Sequence, residues 1–221
     1  MAMHLKLYYA PGACSFVPHV LLHASGAPFE PIVVRLHKGE QHEDAYRAVN
    51  PRGQVPVLVD DGEVITQILA IVTHLDARFP AMEFLPREPL ARTRALETLA
   101  WMNNTVHPTF THVFMPHKFT DDAQAQDALR RWNVQAYRKL LDELQSLVVR
   151  ATGTGLPWLG GHRLGPLDAY ALTLLRWGTL AGIDPQGYPD LWAFVQRVAG
   201  EPSVARAIAQ ERLQLNLYKG E

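Results

Sequence analysis

The stretch that decides the fold lies near the amino terminus, where residues 5–15 read LKLYYAPGACS. The start of this stretch alternates apolar and polar side chains and ends in a pair of tyrosines, which predicts a β-strand. Pro11-Gly12 then breaks the strand, because both residues favour turns. One apolar helical face follows the break, formed by Val17, Val20, Leu21 and Ala24. The sequence therefore predicts a strand that turns sharply into a helix, with Cys14 at the turn.

The alternation of strands and helices continues beyond this helix. Residues 29–36 are rich in isoleucine and valine and predict a second strand, and the polar stretch 38–44 predicts a loop with a short helix after it. Asp61-Gly62 lies between two apolar runs, and this pair is typical of a β-hairpin because both residues tolerate a positive φ. A helix over residues 67–78 is expected to end before Pro80.

The pattern changes after Pro80, where the strand signals stop. A linker is indicated by a cluster of three prolines, Pro80, Pro86 and Pro89. Only helical spacing follows. We therefore expect an α/β unit over residues 1–82, a linker over 83–88 and an all-helical unit over 89–221.

The helical unit itself shows several apolar periodicities. A long helix is expected around residues 129–147, and two short ones near 191–199 and 203–210. Residues 166–181 are apolar almost all round, so this helix is expected to be central and buried. Asp168 lies at its third position, where a carboxylate can cap the helix N-terminus.

Composition and charge exclude several classes of function. The 221 residues carry 21 Lys and Arg against 22 Asp and Glu, so the net charge is −1 and no cationic field for nucleic acid or an anionic membrane is expected. No apolar run is long enough to span a bilayer, and the amino terminus lacks the apolar stretch of a secretory signal. A single cysteine excludes an internal disulfide and a multi-cysteine zinc site. We expect a cytoplasmic protein with no membrane or nucleic-acid partner.

Cys14 is the first candidate for chemistry. A lone cysteine is most often an inert, buried apolar residue. Its position at the start of the first helix favours a reactive role, because the partial positive charge and free N–H groups of a helix N-terminus lower the pKa of a thiol. Ser15 offers a hydroxyl at the same place.

A second candidate is the segment 50–56, NPRGQVP, which runs into a predicted strand over residues 55–59. Pro56 removes one hydrogen-bond donor from that strand, and an ordinary edge-strand proline would account for it. If the Val55–Pro56 bond is cis, Val55 would instead present its backbone N–H and C=O to a ligand.

Three histidines, His107, His112 and His117, form the third candidate. Their spacing of five places successive side chains roughly 140° apart on a helix, whereas paired metal ligands need a spacing of three or four. Pro108 and Pro116 are also expected to interrupt the helix. We therefore predict no metal site, although His107 could line a cleft.

Taken together, these motifs resemble the cytosolic glutathione transferases, and the bacterial beta class most closely. The resemblance rests on residues 7–15 (LYYAPGACS), residues 50–56 and Leu167-Asp168-Ala169-Tyr170, and it extends over essentially the whole chain. It implies an α/β thioredoxin-like N-terminal domain, an all-α C-terminal domain carrying the electrophile site, and a homodimer with the active cleft between the two domains of each subunit.

The resemblance also implies roles for single residues. Cys14, Ser15 and Tyr9 correspond to the family's catalytic positions around the glutathione sulfur. Glutathione, as cosubstrate, would be bound by Lys38, Gln54, Val55, Pro56, Gln67, Ile68, Asn104 and His107. Val55 would pair its backbone with the cysteinyl part, and the backbone N–H of Ile68 would meet the γ-glutamyl carboxylate.

Three departures from the family pattern matter. Ile68 replaces a small or hydroxylated residue, which removes a hydrogen bond and could crowd the pocket. Gly165 replaces the usual serine or threonine cap of the buried helix, and Pro108 stands where many relatives carry lysine. Glutathione binding is thus an expectation that depends on Ile68.

The resemblance leaves three functions open. The first is conjugation of the glutathione thiolate to small hydrophobic electrophiles, as in detoxification, with Phe110, Phe114, Met115 and Trp177 forming the apolar second site. The second is glutathione-dependent thiol–disulfide exchange with Cys14 as nucleophile. The third is a non-catalytic carrier or scaffold, which follows if Ile68 blocks the tripeptide.

Overall fold

The computed structural model describes residues 4–220 and begins with a mixed sheet. Its four strands are β1 (Leu5–Tyr9), β2 (Phe29–Val33), β3 (Val57–Asp60) and β4 (Glu63–Thr66), in the order β2-β1-β3-β4. β1 and β2 are parallel, whereas β3 is antiparallel to both β1 and β4. Asp61 and Gly62 form the predicted hairpin turn, with φ values of 50° and 94°. Two strands are shorter than predicted, because β2 ends at Val33 and β3 begins only after Pro56.

Three helices belong to this first part of the chain. They are α1 (Phe16–Ser25), the short α2 (Asp44–Arg47) and α3 (Ile68–Arg78). The apolar face of α1 is buried completely at Val17, Val20 and Leu21. The arrangement confirms the predicted thioredoxin-like α/β region.

The rest of the chain is helical, as predicted. Its helices are α4 (Pro89–Trp101), α5 (His107–Phe114), α6 (Ala123–Gly153), α7 (Pro166–Leu180), α8 (Pro189–Gly200) and α9 (Pro202–Glu211). α7 is the central one and packs against α1, α4, α5, α6 and α8. Almost every residue of α7 is buried, Arg176 and Leu180 being the exceptions. The apolar pattern of residues 166–181 thus predicted its environment correctly.

The prediction that Pro108 interrupts its helix was wrong. A π-helical turn, Met102–Val106, joins α4 to α5, so the helical path continues through Pro108. The backbone N–H of His107 bonds to the carbonyl of Met102 instead of the residue four positions back. The wider π turn accommodates a proline, which cannot donate to the preceding turn and whose ring would clash with it. His107 is therefore the first residue of α5, on a helical path that continues from α4.

Buried Asp76 on α3 joins the two parts of the chain. Its Oδ1 accepts the backbone N–H of Leu85 at 3.1 Å, and its Oδ2 accepts from Arg87 at 3.3 Å and from Arg92 of α4 at 2.7 Å. The connecting segment and the start of the helical part are thus held by one carboxylate.

Within residues 4–220, no helix is long and apolar enough to cross a membrane.

Candidate active site

One edge of the sheet collects most of the residues predicted to bind glutathione. β1, β2 and β4 all end at this edge, and β3 starts there, since Tyr8 pairs with Val57 and Val57 pairs with Thr66. The residues that follow or precede these strand ends are Cys14, Lys38, Val55 and Gln67. The topology therefore brings together side chains and backbone groups that are far apart in sequence.

Cys14 lies at this edge with its side chain turned towards the β3 entry. Its Sγ is 3.7 Å from the backbone carbonyl of Val55, and 8% of the residue is exposed. Burial raises the pKa of the thiol to about 12, although the backbone N–H groups of Cys14 and Ser15 act in the opposite direction. The expectation of a lowered pKa was therefore wrong. Cys14 is a protonated thiol at neutral pH, because burial outweighs the helix N-terminus.

Ser15 has a role other than the predicted one. Its side chain is fully buried, and the hydroxyl is 3.1 Å from the N–H and 3.2 Å from the carbonyl of Ala10. The hydroxyl therefore links the two ends of the loop between β1 and α1 through the backbone of Ala10. A group that is buried and bonded in this way does not face a glutathione sulfur.

Tyr9 points to the helix-facing side of the sheet. Its ring is buried and packs 4.6 Å from the ring of His19 on α1, centroid to centroid. Burial, followed by the nearby Glu211 carboxylate, raises the pKa of the Tyr9 hydroxyl. The structure thus places Tyr9 behind the loop that carries Cys14, as part of its support.

Gly12 is held by two residues that lie far from it in sequence. Its backbone N–H donates to Oε2 of Glu211 at 2.7 Å, and its carbonyl accepts the indole N–H of Trp177 at 2.8 Å. Oε1 of Glu211 is 2.7 Å from Nδ1 of His19, and both side chains are fully buried. The loop that carries Cys14 is consequently fixed by α1, α7 and the end of α9 together. None of Gly12, His19 and Glu211 was singled out by the sequence analysis as a site residue.

The segment before β3 presents its backbone to the site. The Val55–Pro56 bond is cis. The carbonyl of Gln54 is taken up by the Tyr46 hydroxyl and the Asn50 side-chain amide, both at 2.7 Å. Within residues 4–220, the N–H of Val55 has no hydrogen-bond partner. An extended peptide could therefore pair with it as an added strand would.

The start of α3 forms the next part of the same edge. Gln67 is exposed and has a φ of 72°, a left-handed conformation that is uncommon for a residue with a side chain. No side chain caps this helix, and its first turn carries no acidic residue. The side chain of Ile68 is 3% exposed and packs in the main core. The free N–H groups at the start of this helix can therefore donate hydrogen bonds to an anion. The side chain of Ile68 does not obstruct them, because it is buried.

Two further residues predicted to bind glutathione have exposed side chains. Lys38 is exposed in a short 3-10 turn, Leu36–Lys38, after β2. Asn104 is exposed on the π-helical turn, where its Oδ1 accepts from the Asn103 amide at 2.8 Å. Neither side chain is hydrogen-bonded to Cys14. Both stay predictions for glutathione binding.

His107 forms the wall contributed by the helical part. Its Nδ1 is 2.8 Å from the hydroxyl of Tyr170, and its ring packs against Trp177 with 4.7 Å between centroids. Burial, followed by the charge of Lys118, lowers the pKa of His107 to about 4, so the imidazole is neutral at physiological pH.

Tyr170 is a functional candidate that the sequence analysis quoted in a motif without assigning it a role. Its buried hydroxyl lies between His107 and Oδ1 of Asn103, at 2.8 and 3.3 Å. Burial is the main cause that raises the pKa of Tyr170, and the charge of a Cys14 thiolate would raise it further, so the two groups are close in space. Its position in the buried helix, next to Asp168, was the only signal available.

An aromatic stack extends from this wall towards the surface. Trp177 and Phe110 lie nearly parallel with 4.8 Å between ring centroids, and Phe110 and Phe114 follow at 5.6 Å. Phe114 is 58% exposed. A shallow groove of about 290 Å³ lies beside the outer rings, between α5, α6 and the end of α7. Met115, also predicted for the second substrate site, is half-buried just beyond Phe114.

No group of three or more His, Cys, Asp or Glu within residues 4–220 is arranged to hold a metal ion. His112 is occupied with the carbonyl of Pro108 at 2.7 Å and with the ring of Phe119, while His117 is exposed. The groups that the candidate site presents are a thiol, a neutral imidazole, a phenol and backbone N–H groups.

Comparisons with known proteins agree with this geometry. Residues 3–77 match the family model of the glutathione S-transferase N-terminal domain. The chain is 34% identical over 218 residues to glutathione S-transferase GstA of Escherichia coli O157:H7, covering 95% of this chain and all of that protein. A beta-class glutathione S-transferase of Sphingomonas chungbukensis superposes with a TM-score of 0.80 at 31% identity, over 95% of this chain and 100% of the other. A sphingomonad glutathione S-transferase complexed with glutathione superposes with a TM-score of 0.78 at 30% identity, with the same coverage of each chain.

Proposed function

Since the chain belongs to the glutathione S-transferase family, we propose that it transfers glutathione to small electrophiles bound against the aromatic wall of the cleft. The observation that carries this proposal is the shared edge of the sheet, where the Cys14 thiol, the Val55 backbone and the start of α3 meet. The solved relative that holds glutathione, from a sphingomonad, supports the tripeptide as cosubstrate.

Each part of glutathione has a matching group at this edge. The γ-glutamyl carboxylate suits the uncapped N-terminus of α3, where backbone N–H groups and the helix dipole favour an anion. The cysteinyl backbone suits the free N–H of Val55. These two contacts would direct the glutathione sulfur towards Cys14 and the aromatic wall formed by His107 and Trp177.

The chemistry needs a thiolate held beside an electrophilic carbon. A free alkyl thiol has a pKa of about 8.5, so glutathione must lose its proton to solvent as it binds. The protonated Cys14 thiol can then donate a hydrogen bond to the glutathione sulfur. With an aryl chloride, the sulfur attacks the carbon that bears chlorine, a C–S bond forms, the C–Cl bond breaks and chloride leaves.

The state of Cys14 favours conjugation over disulfide exchange. A nucleophilic cysteine has to be a thiolate, and a thiol pKa of about 12 leaves almost none at neutral pH. Cys14 as a hydrogen-bond donor agrees with this pKa, whereas Cys14 as the attacking group does not.

The burial of Ile68 argues against the non-catalytic carrier. That alternative required the branched side chain to fill the γ-glutamyl pocket, and Ile68 packs in the core instead. The lost hydroxyl would reduce glutathione affinity by about 1–3 kcal/mol if its partner stays unpaired, which weakens binding without abolishing it.

The test is calorimetric titration of the protein with glutathione, followed by kinetics with 1-chloro-2,4-dinitrobenzene. We expect saturable binding at millimolar glutathione or below, and conjugation that survives in Cys14→Ser at a reduced rate. Absence of binding at millimolar glutathione would overturn the proposal. Disulfide exchange that exceeds conjugation and vanishes in Cys14→Ser would favour the oxidoreductase instead.

A further inference from the structure

Arg176 lies directly against the turn that carries Cys14. Gly12 has a φ of +73°, and a Cβ at this position would lie 2.7 Å from Nη1, 3.2 Å from Cζ and 3.3 Å from Nη2 of Arg176. The guanidinium thus occupies the space that a side chain at Gly12 would need. Arg176 also precedes Trp177, whose indole N–H holds the Gly12 carbonyl.

The outer donors of this guanidinium are not used. Nε donates to the carbonyl of Gln214 at 2.8 Å, which orients the group. Within residues 4–220, neither Nη1 nor Nη2 has a hydrogen-bond or ion-pair partner. Glu211, the nearby carboxylate, is already bonded to Gly12 and His19. A half-buried guanidinium with free amino groups is a site that favours an anion.

The aromatic wall continues from the Gly12 turn to His107. Trp177 contacts Gly12 through its N–H and His107 through its ring face. Arg176 therefore lies at the Gly12 side of the wall that would face the electrophile.

We propose that the preferred electrophile of this enzyme is anionic, an activated aromatic or alkene that bears a carboxylate, and that Arg176 binds this carboxylate. The inference rests on the proposed function and names its substrate class. The planar fork of a guanidinium matches a carboxylate with two parallel hydrogen bonds. The carboxylate takes no part in the reaction. With an aromatic electrophile the glutathione sulfur displaces the leaving group, and with an alkene it adds to one carbon of the double bond while the other carbon takes a proton from solvent.

The competing role for Arg176 is mechanical support of the Gly12 turn. In that role the guanidinium would keep the loop in place for every electrophile alike. The two roles differ in one measurable quantity, the preference of the enzyme for a charged over a neutral substrate with the same reacting carbon.

The experiment uses 4-chloro-3-nitrobenzoate and its methyl ester with saturating glutathione. Each kcat/KM is divided by the uncatalysed rate with glutathione, because the ester is intrinsically more reactive. We expect the wild-type protein to favour the carboxylate. Arg176→Gln should lower the ratio of carboxylate to ester by roughly 10- to 100-fold, the range expected for losing a hydrogen bond to a charged group. Arg150→Gln, an equal charge change at the exposed end of α6, should leave the ratio as in the wild type.

The outcomes separate the possibilities. If Arg176→Gln lowers kcat/KM equally for both substrates, the guanidinium supports the loop and the proposal is overturned. A wild-type enzyme that prefers the ester would also overturn the proposal. If Arg176→Gln does not fold, Arg176→Lys keeps the charge but not the planar fork, and a carboxylate ratio as high as the wild type's would contradict the proposal. If wild type turns over neither substrate nor 1-chloro-2,4-dinitrobenzene, the proposed function itself fails.

Discussion

The indole N–H of Trp177 donates to the backbone carbonyl of Gly12 at 2.8 Å, across a separation of 165 residues. This bond joins the central helix of the helical part to the turn that carries Cys14. The same indole ring contacts His107 and stacks on Phe110. The side chain of Trp177 therefore helps to position both the loop that carries the Cys14 thiol and the aromatic wall.

Trp177→Phe should separate these two contributions. Phenylalanine preserves the stack on Phe110 but removes the N–H, so the half-buried Gly12 carbonyl loses its partner. We expect a loss of about 1–3 kcal/mol in the free energy of unfolding and a lower kcat/KM. Urea unfolding and steady-state kinetics measure the two effects. Trp132→Phe, at a residue that is 71% exposed, is the matched control and should change neither.

The thiol of Cys14 should react slowly with alkylating agents. Because its pKa is raised to about 12, the alkylation rate with iodoacetamide should keep rising through pH 9, without the plateau of a low-pKa cysteine. Mass spectrometry of timed samples provides the rates, and free glutathione is the reference. A plateau below pH 8 would contradict the protonated state assigned to this thiol.

Glu211→Ala should destabilise the whole protein, although the residue lies far from the chemistry in sequence. Its carboxylate is buried and holds both Gly12 and His19, so removal leaves two polar groups without partners. We expect a loss of about 3 kcal/mol in the free energy of unfolding. Glu143→Ala, on the exposed face of α6, serves as the control and should change it little.

Gly165→Ser should be destabilising, although serine is a better helix cap than glycine. A Cβ at residue 165 would lie 2.8 Å from the backbone oxygen of Phe84. Asp168 already accepts the N–H of Gly165 at 2.8 Å. We expect a loss of about 1–3 kcal/mol from overpacking, measured by thermal and urea unfolding. Gly160→Ser is the control, because a Cβ at residue 160 would meet no atom within 4 Å. If Gly165→Ser is instead more stable than the wild type, the contact with Phe84 relaxes and the prediction is wrong.

His107 should make stability depend on pH between about 4 and 6.5. The pKa of His107 is lowered to about 4 in the folded protein from an ordinary value of 6.5. The unfolded chain therefore binds a proton before the folded one as the pH falls, and stability decreases across this window. His107→Asn should lose less stability than the wild type between pH 6.5 and 4.5. His117→Asn, at an exposed residue, should follow the wild-type curve.

Local patterns were sufficient to predict the elements that carry the site. The strand, Pro11-Gly12 and the apolar face of α1 placed Cys14 at the start of a helix, and Asp61-Gly62 placed the hairpin. The continuous apolar character of residues 166–181 predicted the buried α7. These predictions succeeded because each depends on neighbours within a few turns of the chain.

The features that sequence analysis missed depend on tertiary packing. The pKa of Cys14 is set by burial, which is a property of the whole core, and local reasoning from the helix N-terminus gave the wrong direction. Pro108 stays within a helix because a π turn absorbs it, which its sequence neighbours do not indicate. Tyr170 and Glu211 act through partners 63 and 199 residues away, respectively His107 and Gly12.

The bond from Glu211 to Gly12 has a consequence for how the protein is made. During synthesis on the ribosome, the turn bearing Cys14 emerges well before Glu211, which lies 199 residues after Gly12. The first α/β region can begin to fold while translation continues. The turn that carries Cys14 can form its bond to Glu211 only after that residue has been synthesised, so a product truncated before Glu211 would lack the assembled centre even if its sheet had formed.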